Sequence, residues 1–296
     1  MSKLWQRLLL IIGVAVAVLC VYVISGCSSG GGGLFGIDQN NEIQIGRQAA
    51  ADLEHQYGVV NDPVQTPRIE RIGTRIAAVT QRPDLPWSFK ILNMSDVNAL
   101  SLPGGFVYVT KGLLQTGLSD AELAGVIGHE AAHVNQRHVV KAIQRNEQYQ
   151  LLAQVALGGS SASVQQLANL TIQLALELPH SRQDEYEADA IGTRFAYNAD
   201  YPANGLLVFL GRLNQIAGSG GGPAWLSTHP STPDRIAREQ QLVAEISTQR
   251  RPVPVELTQR EQKILKDLAP KEDRKPATPA MGTKGTMDTP APPITK

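Results

Sequence analysis

Five consecutive residues carry the plainest chemistry in this chain: His129, Glu130, Ala131, Ala132 and His133, an H-E-x-x-H run. On a helix, side chains four positions apart stand one above the other on a single face. Two imidazoles so arranged can hold one zinc ion and leave coordination positions free. Glu130, next to the first of them, is placed to act as a general base on water at that metal. Downstream, Glu185 and Asp189 are also one helical turn apart. A two-histidine catalytic zinc needs a carboxylate as third ligand and an acid behind a histidine to orient it. Glu185 fits the first role and Asp189 the second; Glu187 is the alternative ligand if the register differs. His229 follows the glycine-rich run 218–222, in Ser227-Thr228-His229-Pro230. From a mobile segment it can stabilise an oxyanion or swing in to fill the open metal position.

Helices must position these groups. Ser119-Asp120-Ala121-Glu122 is a capping-box signature, which predicts a helix from there through the H-E-x-x-H run to about Arg145. Ala124, Gly125, Gly128, Ala131 and Ala132 are small, so neighbouring backbones can come close and the helix is expected to be buried. Pro179 stops a helix over 163–178, and Ser181 with Asp184 opens the one that carries Glu185. Further helical patterns cover 40–57, 64–80, 146–157 and 202–217, with a connector at 158–161, and Pro233 opens a last helix. Trp87, Phe89 and Ile91 alternate with polar residues, and Phe106 to Thr110 is β-branched and aromatic. Asn98-Ala99-Leu100 and the turn Pro103-Gly104-Gly105 lie between them. These segments predict a small antiparallel sheet beside the active-site helix, which either covers the core or offers an edge to an extended peptide. The class is α+β and mostly helical.

The N-terminus reads as an address. Lys3 and Arg7 precede an apolar stretch from Leu8 to Ile24, and Ile24-Ser25-Gly26-Cys27 reads as a lipobox. Residues 1–26 are then a lipoprotein signal peptide and Cys27 the acylated mature terminus. Ser28, in place of aspartate, implies transfer to the outer membrane, with the chain facing the periplasm. Residues 27–37, with four consecutive glycines, form a tether. Residues 38–250 form the globular domain. Residues 251–296, rich in Pro and Lys with a short helical pattern at 256–267, read as a largely disordered tail. With a formal net charge of zero, nothing in the sequence suggests nucleic acid as the main partner, and none is expected. The two cysteines are Cys20 and Cys27, so the mature chain carries no disulfide and depends on its core.

With these residues in view, the chain resembles the HtpX-like zinc metallopeptidase family, in its exported lipoprotein branch. The resemblance runs from about Glu42 to Glu245. It is carried by Asn98-Ala99-Leu100 with Leu102 to Val109, by His129 to His133, by Ser181 to Asp189, and by Thr228-His229-Pro230 with Arg235. It implies a gluzincin-type domain with one zinc on His129, His133 and Glu185, and Glu130 as general base. It also implies that Val107, Tyr108 and Val109 line the substrate groove as an edge strand. His229 corresponds to a histidine that ligates zinc at rest or assists catalysis, while Arg182 and Arg235 stay outside the catalytic set. The expected activity is zinc-dependent hydrolysis of misfolded or misassembled envelope proteins. The rival reading is a membrane-tethered chaperone or assembly factor with a closed zinc site.

Overall fold

A computed structural model describes residues 37–145, 161–217, 222–230 and 233–248. The signal peptide expected over 1–26, Cys27, the expected tether up to residue 36, the helix expected over 146–157, residues 158–160 of the expected connector, residues 218–221 and the expected tail all lie outside the described residues. The order of elements is α1 (Gln39–Tyr57), β1 (Val59–Val60), α2 (Gln65–Ala77), β2 (Ser88–Leu92), β3 (Ala99–Leu102), β4 (Phe106–Thr110) and α3 (Lys111–Gln115). Then come α4 (Asp120–Asn135), α5 (His138–Arg145), α6 (Ser161–Leu176), α7 (Arg182–Asn198), α8 (Gly205–Ala217), α9 (Trp225–Thr228) and α10 (Pro233–Thr248). Among the described residues no helix is long and apolar enough to cross a membrane.

Helix α4 is the axis of the molecule. Its Ser119 cap is complete, with the Ser119 hydroxyl accepting from the Glu122 N–H and the Glu122 carboxylate accepting from the Ser119 N–H. Fifteen of its sixteen residues are buried, against α7, α8, α2 and the sheet. The small residues expected to allow close packing do so. A Cβ on Gly128 would lie 2.5 Å from the Gly192 carbonyl oxygen of α7, so only glycine permits that crossing. This contact sets Glu185 and Asp189 beside His129.

The predicted helix to Arg145 is in fact two helices. α4 ends at Asn135, Arg137 takes a left-handed φ of 59°, and α5 restarts at His138. For a residue with a Cβ that conformation costs about 1–2 kcal/mol, and buried charge holds it in place. Arg137 donates to the Glu42 carboxylate at 2.8 Å and to the Ile37 carbonyl. Glu42, fully buried on α1, also accepts two bonds from Arg82 at 2.8 and 2.9 Å. The start of the domain is thereby clamped to the end of the active-site helix.

The sheet has four strands in the order β1-β2-β4-β3. It is mixed rather than antiparallel throughout: β1–β2 and β3–β4 are antiparallel, while β2 and β4 run parallel. The chain leaves β2, forms β3 at the edge, and returns through the Pro103-Gly104-Gly105 turn to insert β4 between them; both glycines have positive φ, 83° and 100°. Val107, Tyr108 and Val109 therefore do not form an edge strand. They are bonded on both sides, to Phe89, Lys90 and Ile91 of β2 and to Ser101, Leu100 and Ala99 of β3. Val107 and Val109 face the core with α2 and α4, while Tyr108 faces α1 and bonds Glu54 at 2.7 Å. The edge on this side of the sheet is β3. The Thr110 N–H to Asn98 carbonyl bond of 3.0 Å sets the alternation, so the backbone groups of Ala99 and Ser101 point away from β4, on residues that are themselves buried.

Candidate active site

His129 and His133 stand on one face of α4 as their spacing requires, with Nε2 atoms 3.0 Å apart. Helix α7 brings Glu185, whose Oε1 is 3.4 Å from His133 Nε2. His229 enters from the segment after α9, with Nδ1 3.3 Å from His129 Nε2 and 3.0 Å from Glu185 Oε1. These four ligand atoms lie within 4.8 Å of one another, and all four residues are at most 2% exposed. Zinc bonded to nitrogen and oxygen at about 2.0–2.1 Å in a tetrahedron separates its ligand atoms by about 3.3 Å. The observed spacings bracket that value, so the donor set fits zinc.

The charges fit as well. Glu130, Glu185 and Asp189 are buried with one guanidinium, Arg235, among them. A dication offsets the remaining negative charge. Burial lowers the pKa of both His129 and His133, the latter to about 4, so each presents a neutral ring as a metal ligand must. Nearby Glu239 is pushed the other way, to about 8, first by burial and then by the adjacent Asp189. Both causes favour its neutral form.

Each ligand is held from behind. Asp189 Oδ1 lies 3.0 Å from His129 Nδ1, which fixes that ring's tautomer with Nε2 toward the cluster. Arg235 contacts Glu185 Oε2 at 2.6 Å and grips Asp189 with two bonds of 2.7 Å. It also donates to the His229 and Pro230 carbonyls, both at 3.2 Å. Arg235, which the resemblance left outside the catalytic set, is a positioning residue whose fork orients two site carboxylates. Glu130 has its Oε2 bonded to the Ser101 hydroxyl at 3.0 Å, and its Oε1 is 3.5 Å from His229 Nε2. Ser101, on β3, joins the sheet edge directly to Glu130, and no sequence signal marked it.

His229 is not on an open loop. The fully buried Trp225 stacks on it at 4.6 Å between centroids, and the Trp225 N–H donates to the Val97 carbonyl just before β3 at 3.1 Å. The His180 N–H holds the Thr228 carbonyl at 2.9 Å, and its ring lies 4.2 Å from that of His133. Glu187 is not a ligand: it is 36% exposed and reaches His138 instead, at 3.1 Å.

A model of peptidase family M48 matches residues 63–243, more than half of the chain and the whole of this cluster. The chain is 30% identical over 210 residues to a putative beta-barrel assembly-enhancing protease of Vibrio cholerae, covering 68% of this chain and 43% of that one. It is 32% identical over 212 residues to the mitochondrial metalloendopeptidase OMA1 of Arabidopsis thaliana, covering 71% and 43%. It is also 30% identical over 206 residues to the beta-barrel assembly-enhancing protease of Escherichia coli, covering 66% and 42%. The chain thus spans less than half the length of these relatives. The matched region holds both helices that supply the donors, the segment of His229 and the arginine behind them, and this chain belongs to peptidase family M48.

Proposed function

We propose that this chain is a zinc-dependent endopeptidase of the bacterial cell envelope, anchored to the outer membrane through lipid on Cys27 and facing the periplasm. The observation that carries the reading is the convergence of His129, His133, Glu185 and His229 with Glu130 alongside. His129, His133 and Glu185 would hold the zinc, which would supply Lewis acidity toward water and the scissile carbonyl. Glu130 takes the proton of the attacking water and delivers it to the leaving amine. The Ser101 hydroxyl holds Oε2 of Glu130, while Oε1 faces His229 Nε2 at 3.5 Å and is free to take up the proton. Substrate adds as a strand along the outward backbone of Ala99 and Ser101, where main-chain bonds ask little of its sequence. Such recognition suits misfolded or stalled envelope proteins. The names of the bacterial relatives, beta-barrel assembly-enhancing proteases, support beta-barrel proteins among them.

His229 occupies a fourth donor position, and every ligand is buried. The segment from Trp225 to Pro230 therefore has to withdraw before a polypeptide can enter. His229→Ala tests this. If about nine molecules in ten are closed at rest, hydrolysis of unfolded casein is expected to rise about tenfold with zinc retained. A loss of activity with zinc retained would make His229 a participant in the chemistry instead of a gate. The same burial favours the second reading, a tethered chaperone or assembly factor whose zinc is mainly structural. That reading is preferred if neither wild type nor His229→Ala cleaves casein while both suppress aggregation of an unfolded barrel protein.

A further inference from the structure

The break between α4 and α5 has a second consequence at the metal site. On an unbroken helix, residues five apart point about 140° away from one another. The left-handed turn at Arg137 brings His138 back, so that its Nδ1 lies 2.9 Å from Nδ1 of His133. Nε2 of His138 in turn lies 3.1 Å from Glu187 Oε2, and 3.8 Å from Asp184 Oδ1. His138 is 1% exposed. The mechanism above uses neither His138 nor Glu187.

The hydrogen positions follow from the ligand set. With Nε2 of His133 turned to the cluster, the ring's proton sits on Nδ1, and the only role left to that atom is donor. His138 Nδ1 must then accept, which puts the proton of His138 on Nε2, where it donates to the Glu187 carboxylate. We propose that His138 is a positioning residue for zinc: His133 donates to His138 and His138 donates to Glu187, a relay that fixes the tautomer and orientation of the second zinc ligand. It is the counterpart, for His133, of what Asp189 does for His129, with a neutral imidazole inserted before the carboxylate. Partners of this kind typically change metal affinity by about 10–100-fold. Glu187, unfit as a ligand because it faces away from the cluster, is placed to end the relay.

The proposal rests on the zinc reading, so the first measurement is zinc binding by the purified wild-type protein, by competition with a chromogenic chelator. Absence of stoichiometric zinc there defeats the zinc reading itself; the remaining outcomes bear on the relay alone. His138→Phe fills the space without an acceptor and is expected to weaken zinc binding about 10–100-fold. His138→Asn can place its Oδ1 near the original Nδ1 and is expected to restore most of the affinity. Glu187→Ala, at a side chain 36% exposed, is expected to weaken binding by less than His138→Phe does. Thermal melting of the zinc-free forms checks that the variants fold. Two results overturn the relay: Phe and Asn variants that lose affinity equally, which makes the role one of packing, or a Glu187→Ala protein with wild-type affinity. If His138→Phe does not fold, the Asn and Glu187→Ala arms still decide.

Discussion

Replacing Glu130 by glutamine is expected to lower peptide hydrolysis by about a hundred- to ten-thousand-fold while leaving fold and zinc in place. The size follows from removing the one group placed to carry a proton from water to the leaving amine. The retention of fold follows from its surroundings. Glutamine keeps the volume of Glu130, and its amide oxygen can still accept from Ser101, which sits 3.0 Å away. Glu130 lies outside the four-donor group, so the metal keeps its ligands. The assay is casein hydrolysis with zinc content measured on the same sample. Undiminished cleavage by this variant would remove Glu130 from the mechanism.

The second large effect is one of stability. Arg235→Met is expected to destabilise the zinc-free protein by about 3–5 kcal/mol, because it leaves two buried carboxylates, Glu185 and Asp189, without their cation. In the zinc-loaded protein the loss is expected to be smaller, since the metal's charge still faces Glu185. The comparison is denaturant unfolding of both variants with and without zinc. Equal losses in the two states would mean that Arg235 acts by packing against Trp225, over whose ring its guanidinium lies at 5.3 Å. No loss in either would show that the ion cluster is not a source of stability.

These two residues also mark how far the sequence could be read. Glu130 was legible because its partners are local: the spacing inside His129 to His133 fixes them on one helical face. The caps at Ser119 and Ser181 were legible for the same reason, and both form as expected. The Glu185 and Asp189 assignment rested on one helical turn and on the resemblance; Glu185 stands in the four-donor group and Asp189 lies behind His129. What escaped depends on contacts between distant segments. Nothing local in Val107-Tyr108-Val109 distinguishes an edge strand from an inner one, because both are buried β-branched runs. The order is decided by β3 folding back outside β4. The break at Arg137 is stabilised by Glu42, ninety-five positions earlier, and the same break aligns His138 with His133. Ser101 meets Glu130 only once β3 is laid along α4.

At rest, His129, His133 and Glu185 are expected to hold one zinc ion, with His229 beside them. X-ray absorption at the zinc edge on the purified protein tests it most directly. One zinc per chain is expected in a shell of nitrogen and oxygen at about 2.0–2.1 Å with strong imidazole scattering and no sulfur, and His229→Ala is expected to remove one imidazole from that shell. A protein without stoichiometric zinc, or a shell unchanged when His129 and His133 are replaced by alanine, would contradict it.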